Sequence, residues 1–226
     1  MQFHRLQRTM ESPSEEPAVE MAPASPGTQG PFAQTAAAPA GAGQPTLTTL
    51  RLTLRPYTFA DASAVAALAG RREIADTTMA IPHPYLVQHA TDWISGQSIS
   101  WKEGREVVFA IVFREETKLI GAVGLREIDK AHSHAELGYW IGVDWWGRGF
   151  ATEAARAVVE FGFQSLKLNR IHAHHMLRNP ASGRVLQKVG MRPEGVLRQR
   201  VCKWGVFEDV AILAVIKSEW QPLKPL

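Results

Sequence analysis

The sequence predicts an α/β protein built on a mixed, mostly antiparallel sheet of about seven strands flanked by helices. Segments with apolar residues at every second position alternate along the chain with segments whose apolar residues recur at helical spacing. Three of the strand-like segments follow one another with only short polar turns between them, which is typical of an antiparallel meander. Later strands are joined through a helix, and such a crossover requires a parallel pair.

Residues 1–46 are rich in Ala, Pro, Gly, Ser and Gln and show no apolar periodicity. A segment of this composition cannot bury enough apolar surface to offset the entropy lost on ordering, so we expect a disordered extension. We expect residues 47–220 to form a single domain and residues 221–226 to form a tail, because one hydrophobic core serves roughly 100–200 residues.

The domain opens with a strand over residues 50–55, in which leucines alternate with polar residues. Asp61 is the expected cap of a short Ala-rich helix that ends near Gly70. Residues 71–85 carry no clear apolar period and are expected to form a loop. A second helix, with an apolar face around Trp93, is predicted after that loop.

The same patterns predict the remaining elements. Strands are expected at Glu106–Phe113, Leu119–Ile128, Ala135–Val143, Arg170–Met176, Met191–Val201 and Val206–Val215. One helix is expected over residues 151–166, where small and apolar residues line one stripe. Another is expected from Asn179 to Gly190, because Asn is a natural N-cap and the following proline suits the first helical position.

Composition excludes several classes of function. The net charge of +3 is too small and too evenly spread to indicate nucleic acid, and no stretch approaches the roughly 18 apolar residues of a membrane helix. Cys202 is the single cysteine, which excludes an intramolecular disulfide. We therefore expect a cytoplasmic monomer or homodimer with neither a nucleic-acid nor a membrane partner.

Histidines at positions 172, 174 and 175 raise the question of a metal. His172 and His174 share one face of a strand, but the sequence shows no nearby group of further ligands. Ordinary histidines and no metal are therefore expected.

The sequence Trp146-Gly147-Arg148-Gly149-Phe150-Ala151 connects a predicted strand to a predicted helix. Backbone N–H groups at a helix N-terminus lack partners, and glycines let a diphosphate approach the main chain closely. No Gly-Lys-Ser/Thr follows, which excludes a P-loop, and the preceding meander excludes a dinucleotide fold.

This turn resembles the acyl-CoA signature of the GNAT superfamily, Gln/Arg-x-x-Gly-x-Gly/Ala, with Trp146 replacing its first residue. From about Leu50 to Trp220 the chain is similar to the ribosomal-protein N-terminal acetyltransferase branch, the RimJ/RimL type. Further segments that carry this resemblance are Leu52-x-Leu-Arg-Pro, Pro82-His-Pro-Tyr85, Gly121-x-x-Gly-Leu125, Glu136-Leu-Gly-Tyr-Trp-Ile141, Asn179-x-x-Ser182 and Lys188-Val-Gly190.

The resemblance implies an N-acetyltransferase that moves acetyl from acetyl-CoA directly to a primary amine, with a protein N-terminal α-amine as the favoured acceptor. Acetylation of a small-molecule amine, such as an amino acid, a polyamine or an antibiotic, remains an alternative. So does a non-catalytic sensor module that binds acyl-CoA. Direct transfer forms no covalent enzyme intermediate, so Cys202 is expected to be dispensable.

The resemblance also implies the residues of the site. The expected cofactor-binding residues are Ile141, Gly142, Val143, Gly147, Arg148, Gly149, Phe150, Ala151, Thr152, Asn179 and Ser182. Ser182 is expected to protonate the leaving thiolate, and the expected acceptor-binding residues are Tyr85, Trp93, Glu136 and Asp209. Candidates for the general base are Glu194, Glu136 and Asp209.

The demand on such a base depends on the acceptor. Near pH 7.5, deprotonation costs roughly 4 kcal/mol for a lysine-like amine but well under 1 kcal/mol for an α-amine. An α-amine could therefore lose its proton through a water relay.

Overall fold

The computed structural model describes residues 43–222, which form one eight-stranded sheet and five α-helices. The strands are β1 (Leu47–Thr48), β2 (Leu52–Arg55), β3 (Val107–Phe113), β4 (Lys118–Asp129), β5 (His134–Ile141), β6 (Arg170–Met176), β7 (Arg192–Lys203) and β8 (Val206–Ile216). The helices are α1 (Ala62–Ala69), α2 (Arg72–Thr77), α3 (Val87–Glu103), α4 (Phe150–Gln164) and α5 (Pro180–Lys188). No helix within the described residues is long and apolar enough to cross a membrane.

The strands lie in the order β1-β2-β3-β4-β5-β6-β8-β7, and β5 with β6 is the parallel pair among them. The meander β3-β4-β5 and the hairpin β7-β8 are antiparallel, as the turns between them require. Helix α4 supplies the crossover from β5 to β6. The predicted α/β fold with a mixed, mostly antiparallel sheet is confirmed.

The two central strands separate part-way along their length. The parallel ladder runs only from the pair His134–Arg170 to the pair Glu136–His172. Strand β5 nevertheless stays paired with β4 as far as Ile141. Beyond Glu136, one edge of β5 is therefore no longer covered by β6.

Each face of the sheet packs against its own helices. Alternate residues of a strand point to opposite faces, and Leu137 and Ile171 belong to the main core with the buried faces of α4 and α5. Trp140 points the other way, into a smaller cluster formed by α1 and α3. Burial of each large apolar side chain contributes roughly 1.5–3 kcal/mol, so both layers hold the sheet in place.

Two short elements were not predicted. Residues 71–85 were expected to be a loop, but they contain the six-residue helix α2, which buries Ile74 and Ala75. Such a helix is too short to show an apolar period in the sequence. Strand β1, with two residues, raises the number of strands from the expected seven to eight.

Two local predictions were wrong and one holds in part. Leu50 is exposed in the turn before β2, which begins at Leu52. Asp61 occupies the N-cap position of α1, as predicted, but its side chain makes no capping bond, because its carboxylate accepts from the Thr58 N–H at 2.8 Å and pairs with Arg55. The predicted strand end at Val143 lies instead in a 3-10 turn after β5.

The expected extension and tail lie mostly outside the described residues, namely in residues 1–42 and 223–226. Residues 43–46 are described and have no regular secondary structure. Gln44 donates from Nε2 to the Val108 carbonyl at 2.8 Å, which attaches this stretch to β3.

Candidate active site

The separated strands open a cleft of about 880 Å³. Its walls come from β5 and β6, from the first turns of α4 and α5, and from α3 with the segment between α2 and α3. Eleven of the sequence-predicted site residues line it: Tyr85, Trp93, Glu136, Ile141, Gly147, Gly149, Phe150, Ala151, Thr152, Asn179 and Ser182.

The uncovered edge of β5 supplies main-chain groups to this cleft. Gly142 donates its N–H to Ile120 of the neighbouring chain segment at 2.8 Å, which turns its main chain away from the cleft. Because these groups alternate along a strand, those of Tyr139 and Ile141 face the opening. The Trp146 indole already donates to the Ile141 carbonyl at 2.6 Å. A carbonyl oxygen can accept a second hydrogen bond, so the main-chain groups of Tyr139 and Ile141 can still pair with an extended ligand as if the ligand were another strand.

Val143 and Gly142 do not line the cleft. The Val143 carbonyl accepts from the Trp146 N–H at 3.1 Å and thereby closes the turn after β5. Their expected contacts with a cofactor stay predictions.

The turn before α4, at the end of the cleft, has a backbone geometry that suits an anion. Gly147 and Gly149 have φ values of 74° and 82°, in the left-handed region that favours glycine. The first hydrogen bond of the helix runs from Glu153 to Gly149, so the N–H groups of Phe150, Ala151 and Thr152 precede the helical ladder. A Cβ built on Gly147 would meet no atom within 4 Å, which leaves room for a ligand.

Glu153 anchors this turn from behind. Its carboxylate accepts from Thr49 Oγ1 at 2.7 Å and from Arg51 at both N and Nε. Burial alone would raise the pKa of Glu153, but these hydrogen bonds lower it overall. Arg51 also donates to the Arg148 carbonyl, which holds the turn from the same side. The Arg148 side chain does not line the cleft, and its guanidinium lies 4.9 Å from the Trp145 ring centre.

A pair of hydroxyls lies on the α5 side of the cleft. Tyr139 Oη and Ser182 Oγ are 2.9 Å apart, and Ser182 N–H donates to Asn179 Oδ1 at 3.2 Å. Burial raises the pKa of Tyr139 to about 12, against a smaller lowering by the hydrogen bond to Ser182. Asn179 is thus the N-cap of α5, as expected, and it lines the cleft as well.

Sequence reasoning placed Ser182 in the site but missed Tyr139. The signal was present in the alternation of β5, because Tyr139 and Ile141 share a face. Recognising the hydroxyl pair required knowing that α5 packs against that face.

Glu136 lies on the opposite face of the sheet, buried to 5 % relative exposure. Its Oε1 accepts from Arg126 Nη2 at 2.5 Å and lies 3.2 Å from His174 Nδ1. Burial alone would raise the pKa of Glu136, but the hydrogen bonds from His174 and Arg126 and the Arg126 charge outweigh burial and hold it at about 2. Sequence reasoning missed both partners of this carboxylate.

The two other candidate bases lie outside the lining of the cleft. Glu194 is exposed on β7 and is paired with the Arg170 guanidinium, which lowers its pKa. Asp209 accepts from the Gln199 N–H at 2.8 Å and so closes an irregularity of the β7-β8 hairpin. The structure brings neither carboxylate to the other site residues.

Glu136, His172 and His174 have side-chain nitrogen and oxygen atoms within 4.8 Å of one another. The Arg126 guanidinium forms an ion pair with the Glu136 carboxylate, and its positive charge would repel a cation bound there. The expectation of no metal stays a prediction.

Comparison with known proteins decides the family. A family model described as an acetyltransferase (GNAT) domain matches residues 51–192. The chain belongs to the GNAT acetyltransferase family. It is an acetyl-CoA-dependent N-acetyltransferase, as expected.

Relatives of several kinds match this GNAT enzyme. The N-acetyltransferase YoaA of Bacillus subtilis is 34% identical over 173 residues, covering 76% of this chain and 97% of that protein. The [Ribosomal protein uS5]-alanine N-acetyltransferase of Escherichia coli is 29% identical over 122 residues, covering 54% of this chain and 63% of its own. A solved structure of Mycobacterium smegmatis RimJ in complex with CoA-disulfide is 27% identical, with a TM-score of 0.68, covering 74% of this chain and 83% of that chain. The expected similarity to the RimJ/RimL type is confirmed.

Proposed function

We propose that this enzyme transfers acetyl from acetyl-CoA directly to the α-amine of a protein N-terminus. The observation that carries the proposal is the state of Glu136, which is buried between Arg126 and His174 with a pKa of about 2. So acidic a carboxylate cannot take the proton of an amine whose pKa is ~10.4. An α-amine, with a pKa of ~7.7–8, is already partly neutral near pH 7.5 and suits this cleft better.

The ion pair between Glu136 and Arg126 offers no uncompensated negative charge to a polyamine, and the other carboxylates that line the cleft are Asp92 and Glu106. A polycationic acceptor needs carboxylates whose charge is not already compensated. The charge of Glu136 is compensated by Arg126 at 2.5 Å. Two relatives from Escherichia coli carry names that fit a protein acceptor, the uS5-alanine enzyme and a ribosomal-protein-serine acetyltransferase that is 29% identical over 136 residues.

We propose that acetyl-CoA binds along the opening between β5 and β6. Its diphosphate would meet the free N–H groups of Phe150, Ala151 and Thr152, because a helix N-terminus favours an anion. Its pantetheine amides would pair with the main chain of Tyr139 and Ile141. Asn179 and Ser182 line the same opening.

The chemical step then uses both faces of the sheet. The amine approaches from the face that carries Glu136, α1 and α3, and its nitrogen forms a bond to the thioester carbonyl carbon. The nitrogen loses its surplus proton through a water molecule as the carbon–sulfur bond breaks, and the thiolate takes a proton from the Ser182 hydroxyl. Tyr139 returns a proton to Ser182 across their 2.9 Å contact and is itself reprotonated from solvent.

Thiol release against matched acceptors tests the proposal. One peptide has a free N-terminus and no lysine, and a second has the same sequence with a blocked N-terminus and one internal lysine. Spermidine and free alanine complete the set, and mass spectrometry locates the acetyl group. We expect turnover of the free-N-terminus peptide to exceed that of the lysine peptide by at least about tenfold, because the amine pKa values differ by more than two units. It should also exceed turnover of spermidine and of free alanine.

Preference for the lysine peptide, spermidine or alanine would contradict the proposed acceptor. An increase in thermal midpoint with acetyl-CoA, without thiol release for any acceptor, would instead indicate an acyl-CoA sensor. One set of samples therefore distinguishes an enzyme with a different acceptor from a protein that binds acyl-CoA without catalysis.

A further inference from the structure

We infer that His174 is the general base of this enzyme and that Glu136 is the residue that positions it. We further infer that His172 and His134 conduct the proton from His174 to the surface of the sheet. This inference deepens the proposed function, because it supplies the proton acceptor that Glu136 and the two carboxylates outside the cleft cannot provide.

The geometry at His174 selects one of its ring nitrogens as the base. Nδ1 lies 3.2 Å from Glu136 Oε1, which accepts hydrogen bonds only, so Nδ1 carries the proton. The lone pair is then on Nε2, and the side chain lines the cleft on the face where the amine approaches. A carboxylate that fixes the tautomer and orientation of an imidazole is the usual support of a histidine base.

His174 is the first of three histidines that lie in a row across β6 and β5. The His174 and His172 ring centres are 5.5 Å apart, and those of His172 and His134 are 5.7 Å apart. The ring nitrogens of His172 and His174 lie within 4.8 Å of each other, a distance that one water molecule can bridge. His134 Nδ1 is buried without a hydrogen-bond partner among the described residues, while its Nε2 lies 3.8 Å from Asp129 near the end of β4.

The charges that face this histidine row come from four strands. They are Arg126 from β4, Glu136 from β5, Arg170 from β6 and Glu194 from β7. Strand β8 places the apolar residues Ile212 and Ala214 opposite His174 and His172. Burial lowers the pKa of His172, against a smaller raising by Glu136, so a proton that reaches this ring is not retained there.

The protons balance across the reaction. An α-ammonium first loses one proton to His174 Nε2, and the neutral amine then attacks the thioester. The second proton passes from the nitrogen to His174 Nε2, once the first has been conducted away, as the carbon–sulfur bond breaks. The thiolate becomes a thiol with the proton supplied through Ser182 and Tyr139, and solvent restores that proton to Tyr139. Two protons leave through His172 and His134 and one is taken up at Tyr139, so the net release is one proton per turnover.

The first test compares His174→Gln with wild type over a range of pH, using the amine that wild type turns over fastest. Glutamine retains a donor for Glu136, so the fold is preserved. We expect kcat/KM near pH 7 to fall by about 100-fold or more, as for loss of a general base, and the deficit to shrink at higher pH as the amine becomes neutral. Binding of acetyl-CoA, measured by titration calorimetry, should be unchanged.

The matched control is His83→Gln, at an exposed histidine before α3 that does not line the cleft, and it should retain the wild-type profile. A His174→Gln enzyme that matches wild type at every pH would overturn the inference. Since the comparison uses whichever amine is turned over, that result differs from failure of the α-amine proposal, which would already appear in wild type.

Glu136→Gln tests the positioning role. Without the carboxylate the imidazole loses the contact that fixes its tautomer and orientation, so kcat should fall while KM for both substrates stays unchanged. In a His174→Gln background the same change should have little further effect on kcat. If Glu136→Gln lowers kcat by the same factor with and without His174, the two residues act independently, which would count against the inference.

His172→Gln tests the conducting role. We expect a loss of kcat, with KM for both substrates unchanged, that a high concentration of imidazole buffer reverses. If this variant has the kcat of wild type, His172 and His134 do not conduct the proton.

Discussion

At the scale of single residues, the proposed proton donor for the thiolate depends on the contact between Tyr139 and Ser182. Burial raises the pKa of Tyr139 to about 12, so its hydroxyl stays protonated at neutral pH. We expect Tyr139→Phe to lower kcat on the order of 100-fold, because it removes general-acid support, and to leave acetyl-CoA affinity unchanged.

Steady-state kinetics and calorimetric titration check this expectation. The matched control is Tyr57→Phe, which removes another buried hydroxyl, one that donates to the Gly121 carbonyl at 3.0 Å. That change should cost about 1 kcal/mol of stability without changing kcat. An equal fall in kcat for both variants would assign Tyr139 a structural role only.

Cys202 provides a second test at this scale. It is exposed on β7, away from the residues that line the cleft. Direct transfer needs no thiol nucleophile, so Cys202→Ala should turn over at the wild-type rate. An inactive but folded variant, judged by circular dichroism, would require an acyl-enzyme mechanism instead.

How far single residues could be predicted depended on their partners. Asn179 and Ser182 could be placed from a local pattern, since a helix start is visible in the sequence. The role of Glu194 could not, because its partner Arg170 lies 24 positions away on another strand. The contact of His174 with Glu136 could not be predicted for the same reason, since the two become neighbours only through the pairing of β5 with β6.

At the scale of elements, the turn that opens α4 depends on the backbone conformation of Gly149. Its φ of 82° is one that an L side chain adopts only with strain of roughly 1–2 kcal/mol. We expect Gly149→Ala to lower the free energy of unfolding by about that amount and to weaken acetyl-CoA binding, because the N–H groups that follow would be displaced.

Urea unfolding and calorimetric titration measure the two effects separately. Gly195→Ala is the matched control, since a Cβ at this exposed position on β7 would meet no atom within 4 Å. It should leave acetyl-CoA binding unchanged. Unaltered binding in Gly149→Ala would mean that the turn does not hold the diphosphate.

Elements with a long apolar period were predicted from the sequence, and short ones were not. Helix α4 was visible because its buried stripe spans four turns. Helix α2 buries only Ile74 and Ala75, and the β1 strand has two residues, so neither carries a periodic signal. Their positions follow from packing against other elements.

At the scale of the whole described domain, one sheet joins two helical layers, and the separation of β5 from β6 gives a ligand access to both faces. The crossover through α4 predicts that these strands are parallel neighbours, yet it does not determine how far their pairing extends. That length determines the cleft. The buried ion pair beside the opening then links the chemistry of the site to the stability of the domain.

The pKa of Glu136 predicts how stability depends on pH. Its value falls from 4.5 to about 2 on folding, so the carboxylate stabilises the folded state above about pH 4.5 and loses this contribution as the pH falls toward 2. At about 1.4 kcal/mol per pH unit, the difference amounts to about 3 kcal/mol. The free energy of unfolding of wild type should therefore drop by about that much more than that of Glu136→Gln between about pH 5 and 2.

Urea titrations at a series of pH values measure how steeply the free energy of unfolding depends on pH in both proteins. The control Glu115→Gln, which changes an exposed carboxyl in the β3-β4 turn, should retain the wild-type slope. Equal slopes for wild type and Glu136→Gln would mean that Arg126 and His174 do not hold the carboxylate in its charged form, and the orientation of His174 would then need another cause.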